Sequence, residues 1–506
     1  MIRTFGAMTG LSNQPAGLDV GLPSGLTNFF GDGSDGAFNP ATILSTGTTA
    51  PNGGTVANLW DMNAGTSFTT GSLPSGANNV AFQTDFGAPT LISNFQLYNA
   101  QSTAGGDRVC ALQSSTDGSS WTQRGTATVS GGAAGNVSFN GANTIARYWR
   151  LATTATGGPG AVTCQGSTIN YISGDTQTSQ VWRIMYPVTI HSGICIKQFS
   201  SLTLPAGYEI TTDNPCRGLI IYCTGSVSNP GAISMTSKAG FGNDNISPLI
   251  LSKVKSDLTT KTIQKYFQLT TVFEALKGGA GGNGGAGGAG IFSAGAGGAG
   301  GNGRINSGGY GGGGGGGGGG SAAGGQGGAI SFAELGGGIG GKQGSSSTPT
   351  PSKGCLGGGG GGAGSTPSAS SGGDGGNATN CGVGAGGGGG GGSVNGSTAA
   401  SPSGFAGGLI LVICKGNVTN SGTISANGTQ GGDGAVSGGA QSGGGGGGGG
   451  TGGGVVGIFY GGTYSNTGSI TVSGGGAGNA GAANGGNAGL PGTSGSVGTI
   501  VTQKIA

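Results

Sequence analysis

The sequence predicts a mainly β protein: a sandwich or barrel of short strands, then stacked strand layers interleaved with glycine-rich helices of three-residue period. Three observations carry this expectation. Between residues 50 and 172, short β-type runs alternate with turn clusters. A strand–turn–strand unit recurs three times further along the chain. Of 131 glycines, 96 fall in the 229 residues from Gly278 onward, against 35 in the 277 before it. The second half therefore has few side chains with which to fill an ordinary core.

Composition excludes several functions. A formal net charge of +3 leaves no basic footprint for nucleic acid. The longest aliphatic run, 409–413, is far too short to span a bilayer, and no apolar segment of signal-peptide type follows Met1. His191 is the single histidine, so a Ser-His-Asp triad would have to use it, and a His-rich metal site is excluded. It lies in an alternating stretch and is read as an ordinary strand residue. The eight cysteines (110, 164, 195, 216, 223, 355, 381 and 414) contain no C-x-x-C pair. Disulfides formed in an oxidising medium and buried free thiols both fit their spacing.

Within 50–172 the candidate strands are 79–84, 90–98, 108–113 and 144–152. Asp117-Gly118 is a hairpin-turn pair that leaves Trp121 to pack on the next strand. Arg147 and Arg150 flank aromatic residues and are placed to tie strand ends to carbonyls or carboxylates. Four landmarks occur in a fixed order: Trp60-Asp61-Met62-Asn63 leading to Thr66; Asp85-Phe86-Gly87; Ser115 with Asp117, Gly118 and Trp121; and Ala146-Arg147-Tyr148-Trp149-Arg150-Leu151. Together they resemble the discoidin (F5/8 type C, galactose-binding-like) family. That resemblance implies a jelly-roll β-sandwich whose end loops bind sugars or lipid head groups. It also implies a structural calcium ion, with Asp61 and Thr66 as oxygen ligands. Met62 stands where the family has glycine, so a positive φ there would be strained.

Residues 1–48 carry Gly, Pro and Asp turns without a period and read as an attachment arm. Residues 178–277 read as a β layer followed by a possible amphipathic stretch (246–277), either packing against the glycine region or docking to a fibre.

The recurring unit has an apolar strand, then Val227, Asn229, Gly231 and Ile233; Val418, Asn420, Gly422 and Ile424; Tyr464, Asn466, Gly468 and Ile470. The Asn and Gly are read as residues of a tight turn that accept positive φ. Offsets of 191 and 46 residues between copies imply stacked layers with long insertions.

In the remainder, 278–506, non-glycine residues recur every third position, at 280, 283, 286 and 289 and again at 374, 377 and 380. Glycines recur at 486, 489, 492, 495 and 498, and unbroken runs occupy 311–320, 357–362, 386–392 and 443–450. Three residues per turn is the period of a polyproline II-type helix, which makes no internal hydrogen bonds. Its backbone groups must then bond to neighbours. A G-G-x helix suits an outer position and an all-glycine helix an interior one.

This pattern resembles the glycine-rich host-recognition adhesins of T-even-like bacteriophage tail fibres, in which polyglycine II helices pack in a sandwich and loops vary at the tip. On that resemblance Phe292, Tyr310, Phe332 and Lys353, between the tracts, are candidate ligand-binding loop residues. Combined with the first resemblance, the fold class becomes a jelly-roll sandwich followed by strand layers and a polyglycine II bundle. The function it implies is a non-enzymatic virion protein, a tail-fibre or tail-tip receptor-binding subunit assembled in the host cytoplasm and exposed after lysis. Its partners would be other tail or fibre proteins, a host-surface glycan or outer-membrane receptor, and further copies of itself. A bacterial surface or matrix carbohydrate-binding adhesin and a glycan-degrading tailspike are the alternatives. The tailspike needs a carboxylate pair, and only three acidic residues follow Gly278.

Overall fold

A computed structural model of the chain describes residues 30–103, 106–154, 159–171, 181–190, 194–216, 218–239, 405–434, 445–483 and 488–504, with four two-residue strands between 289 and 365. His191, the stretch 246–277, the glycine runs at 311–320, 357–362 and 386–392, and the side chains of Phe292, Tyr310, Phe332 and Lys353 lie outside the described residues.

The first unit is an antiparallel sandwich. Its two longest strands, Val80–Ser102 and Gly135–Thr153, pair along most of their length, with register shifts after Val80, Asp85, Ile92 and Leu97. Such bulges bend a strand, allowing one long strand to serve both layers. Arg108–Ser115 and Thr122–Val129 extend one edge, and Val162–Cys164 and Phe68–Thr69 the other. Inward positions are aromatic: Trp60, Phe82 and Phe95 meet at 5.6–6.3 Å between ring centroids, and Phe68 and Phe139 extend the cluster.

The second unit is a parallel β-solenoid. Its first rung comprises Ile194–Thr203 and Tyr208–Thr212, and its second Gly218–Cys223, Val227–Asn229 and Ala232–Ser234. The third is Leu409–Cys414, Val418–Asn420 and Thr423–Ser425, and the fourth Val455–Tyr460, Tyr464–Asn466 and Ser469–Thr471. Thr499–Lys504 begins a fifth. The register is Leu219↔Ile410, Ile410↔Val456 and Val456↔Ile500, so the repeats recognised in sequence lie directly above one another. Gly218–Cys223 and Leu409–Cys414 are buried at every position, hence their unbroken apolar sequence.

The recurring Asn and Gly work differently from the turn expected of them. None of Asn229, Asn420, Asn466, Gly231, Gly422 and Gly468 has a positive φ. The chain passes from one parallel sheet to the other at this corner and makes no hairpin. The asparagines form a ladder instead: Asn229 Nδ2 donates to Asn420 Oδ1 at 2.7 Å, and Asn420 Nδ2 to Asn466 Oδ1 at 2.8 Å. The glycines admit the next rung, since a Cβ at Gly422 would overlap the Gly231 carbonyl and one at Gly468 the Gly422 carbonyl.

Beyond the third and fourth rungs the chain leaves as extended rods, 426–434 and 472–483, and returns as rods 445–454 and 488–498. In the outer rods every third amide bonds to a neighbour, and in rod 445–454 two of every three do. Gly428, Gly431 and Gly434 donate to Ser473, Gly476 and Asn479; Gly475, Gly478 and Gly481 donate to Thr451, Gly448 and Gly445. Gly489, Gly492, Gly495 and Gly498 donate to Gly481, Gly478, Gly475 and Val472. Rod 445–454 bonds to all three others and is buried throughout, its only side chain beyond hydrogen being Thr451. In rod 472–483 burial itself has period three, at 472, 475, 478 and 481. The all-glycine rod is thus interior and the rods with side chains peripheral. This is a polyglycine II-type lattice, in which backbone groups satisfy one another with nothing between them.

The two units share one core. Trp182 stacks on Trp60 at 5.9 Å and touches Phe86 and Tyr208, while Tyr208 Oη donates to the Trp60 carbonyl at 3.2 Å. Part of the stretch read as an attachment arm is built into both units. Gly36–Phe38 pairs in parallel with Ile194–Thr203, and helix Pro40–Gly47, capped by Asn39, buries Leu44 in the sandwich. At the second and third rungs, Ala239 N donates to Ala406 O at 3.1 Å and Gly408 N to Met235 O at 2.9 Å, so the chain departs and re-enters at adjacent points.

Two neighbouring glycines test the lattice. A Cβ at Gly475 would overlap the Thr429 carbonyl, whereas one at Gly476 meets nothing nearer than Gln430 Cγ at 3.9 Å. Gly475→Ala is expected to cost about 1–3 kcal/mol through overpacking, and Gly476→Ala to be neutral or to stabilise by up to about 1 kcal/mol. Urea unfolding of the pair reads the difference; equal effects would mean the rods are not in contact.

Candidate functional site

Two places on the sandwich bring together chemistry-bearing residues. The first is the loop after helix Ala57–Trp60. Asp61 Oδ2 accepts from Thr66 Oγ1 at 2.6 Å, Thr66 Oγ1 lies 2.9 Å from the Asn63 carbonyl, and Asp61 Oδ1 accepts from Asn63 N at 3.0 Å. Asn63 Oδ1 in turn accepts from Gly65 N. Asp61 and Thr66, which the resemblance names as calcium ligands, are thus hydrogen-bonded to each other. Met62 between them has φ +55°, the strained conformation expected of a non-glycine residue there. Its side chain is half-buried against the core and lies so near Gly207 that a Cβ there would sit 2.6 Å from Met62 Cγ. The loop is thus wedged against the solenoid, which is what holds Met62 in that conformation.

The second place is an outward ledge on the strands Val80–Ser102, Gly135–Thr153 and Arg108–Ser115. Tyr148 pairs with Asp85 on one side and Ser115 on the other, and Arg150 with Gln83 and Gln113. Directly paired residues share a face, and alternation sends Trp149 to the opposite side, into the core. Arg147 makes a two-pronged ion pair with Asp85, Nε to Oδ1 at 2.8 Å and Nη2 to Oδ2 at 2.9 Å, and lies 4.9 Å from the Tyr148 ring centroid. The Arg147 hydrogen bonds hold the Asp85 carboxyl below its ordinary range, with the Gly87 amide adding to the effect against the cost of burial. Arg150 stacks on Trp121 at 4.2 Å and donates from Nε to Gln113 Oε1 at 2.6 Å. Gly118, at φ +76°, forms the turn beneath Tyr148. The amides of Ser120 and Ser119, then the Ser115 hydroxyl, hold Asp117 well below the carboxylate range. Tyr148 and Trp121 are half-exposed, and Arg147 is exposed.

The sequence named every residue of this ledge but assigned them to architecture. Asp85 and Arg147 lie 62 positions apart, and only strand pairing joins them. The alternation of Tyr148 and Arg150 about an inward Trp149 was the one local signal. Among the described residues no cluster of three or more His, Cys, Asp or Glu side chains is placed to hold a metal, and no helix is long and apolar enough to cross a membrane. The six described cysteines are all buried, and burial pushes Cys110 and Cys164 up to about 12.

With the sandwich, its turn and its closing strand in view, the family comparison is decisive for this part of the chain. Residues 43–165 match the F5/8 type C domain. The domain is a discoidin-type sandwich, as the four landmarks implied. Solved structures similar to it include the CBM32 of AlyQ in complex with 4,5-unsaturated mannuronic acid, at 18% identity, covering 25% of this chain and 95% of that one with a TM-score of 0.20. Another is a pectin-binding carbohydrate-binding module, at 16% identity, covering 25% of this chain and 91% of that one with a TM-score of 0.18. No curated protein matches the chain.

The Asp85–Arg147 pair carries a pH signature. Because the folded value of Asp85 is depressed, its stabilisation is present above about pH 4, the ordinary Asp range, and is lost as pH falls through the folded value. With side chains 33% and 44% exposed, solvent screening limits the pair to roughly 0.2–1 kcal/mol. Asp85→Asn should therefore lower the urea midpoint at pH 7, and the gap to wild type should close in acid. A gap that stays constant with pH would place the effect elsewhere.

Proposed function

We propose that this protein is a non-enzymatic bacteriophage virion subunit, at the tail fibre or tail tip, that attaches to a host-surface glycan through its F5/8 type C domain. The observation that carries the reading is the seating of this domain. It shares its core with a solenoid whose rungs and rods are held by backbone hydrogen bonds, so a recognition module is fixed to a stiff support. Stiff supports suit attachment, because binding energy is not spent on ordering a tether. Phage origin rests on the resemblance of the glycine-rich half to tail-fibre adhesins.

The ledge supplies what a sugar needs. Tyr148 and Trp121 offer aromatic surface for pyranose C–H faces, and Arg147 and Arg150 offer N–H donors for hydroxyls and carboxylates. Their mutual stacking fixes the side chains before a ligand arrives. In this reading glycan contacts Arg147 and Tyr148 at the exposed edge, while Trp121 and Arg150 hold that edge in place.

The Asp61 loop fits a structural calcium ion. The Asp61 carboxylate, the Asn63 carbonyl and Thr66 Oγ1 converge with 2.6–2.9 Å between neighbouring oxygens, a spacing compatible with the shell around a hard cation that takes oxygen ligands at roughly 2.3–2.6 Å. Bound calcium would supply charge that replaces the Thr66-to-Asp61 hydrogen bond. By fixing the loop under Met62 it would brace the junction with the solenoid.

Two experiments test these statements. Full-length protein should bind susceptible cells saturably, and isolated host glycan should compete. Arg147→Ala and Tyr148→Ala should each weaken binding about tenfold, equivalent to about 1.4 kcal/mol. Binding that survives both substitutions unchanged would remove the ledge from the reading, and release of glycan fragments would favour a tailspike. For calcium, millimolar CaCl2 after chelation should raise the melting temperature of wild type but not of Asp61→Ala; no shift in wild type would dismiss the ion.

A further inference from the structure

Cys223 and Cys414 occupy the same position in consecutive rungs, where the register pairs them directly, and both are fully buried. No other described cysteine has a cysteine as its in-register partner. Cys195 faces Leu219, Cys216 bridges to Ala239, Cys164 faces Phe68, and Cys110 faces Ala127 and Thr153. In-register parallel partners sit about 4.8 Å apart with their side chains on one face, inside the Cα window of roughly 4.4–6.8 Å that a disulfide spans. Both sulfurs also converge on one turn. Cys223 Sγ lies 3.4 Å from the Ser226 carbonyl, and Cys414 Sγ leans back onto the second rung, 3.2 Å from the Gly225 carbonyl.

We infer that Cys223 and Cys414 form a disulfide that staples the second rung to the third across the 190 residues between them. The two thiols stand on one face in adjacent rungs, and the neighbouring sulfur together with burial pushes Cys414 above the usual thiol value. Either sulfur can attack first, and attack by Cys223 is one of two equivalent orders. With glutathione disulfide as oxidant, the Cys223 thiolate attacks one glutathione sulfur, forming a mixed disulfide and expelling one glutathione thiolate. Cys414 then loses its proton and attacks the Cys223 sulfur, breaking the mixed disulfide and expelling the second glutathione. Two protein thiols and one glutathione disulfide give one protein disulfide and two reduced glutathiones. Both sulfurs are closed off from solvent in the finished stack, so the oxidant must reach them while the third rung is open, in refolding or in local opening after release into an oxidising medium.

The staple would add a covalent link to rungs otherwise joined by backbone hydrogen bonds, by the Asn229–Asn420 and Ser234–Ser425 side-chain bonds and by apolar packing.

The test is to refold the full chain in a glutathione redox buffer, quench with acid, alkylate free thiols under denaturing conditions, and digest with trypsin and chymotrypsin without reduction. Mass spectrometry should find the Cys223 and Cys414 peptides joined, and the melting temperature should fall by several degrees on reduction. In Cys223→Ala and Cys414→Ala the joined peptide should vanish, and reduction should no longer shift melting. Alkylation of both cysteines in oxidised wild type would overturn the inference, as would Cys414 joined to any other cysteine. The wild-type peptide map decides the matter even if a variant fails to fold.

Discussion

The structure depends on one constraint: peptide backbones stacked so closely, by direct hydrogen bonds, that no Cβ fits between them at the points of contact. In the rungs this appears as glycine at the corners, where the Gly422 and Gly468 positions abut the carbonyl of the preceding rung. In the rods it appears every third residue, at Gly475, Gly478 and Gly481 on one side and Gly447, Gly450 and Gly453 on another. Glycine loses more freedom on folding than any other residue, and ordering each residue opposes folding by about 1–2 kcal/mol. What offsets that loss is the regular pairing of buried amides with neighbouring carbonyls, together with dense contact between bare chains, since burying them unpaired would be worse.

Stacking also raises the question of how the stack begins. A parallel solenoid presents open edges and an apolar end, and repeat architectures need a cap there. The F5/8 type C domain fills that place. Trp182, just ahead of the first rung, is enclosed by Trp60 and Phe86 of the domain and Tyr208 of the solenoid. The asparagine ladder starts at the second rung because Leu204 stands at the corner that precedes Asn229, and the Asn229 side-chain oxygen Oδ1 is left without a partner. The recognition module and the cap are the same object, so its orientation is set by the aromatic packing that closes the core.

Much of this was legible in the chain. The Asn-x-Gly-x-Ile repeats gave the stacking order and both offsets, because register here is a linear property of sequence. The three-residue period gave the rods and placed the all-glycine run inside. What the motif could not reveal was why its residues recur: an Asn-Gly pair suggests a turn locally, and only the neighbouring rung shows an amide ladder and a steric gap. The ledge was hidden for a related reason. Asp85 with Arg147, and Trp121 with Arg150, are partners through strand pairing, and nothing adjacent to any of the four announces the other. Met62 was the exception, since a bulky residue at a glycine position marked the strained turn directly.

The hydrogen bonds from Ala239 to Ala406 and from Gly408 to Met235 set the two ends of the long intervening segment side by side. Loop-closure cost grows only slowly with length, and here the rungs on either side already fix the anchor points. The chain therefore leaves the second rung and enters the third at a single seam, and the length of chain between those points has no bearing on how the two rungs register.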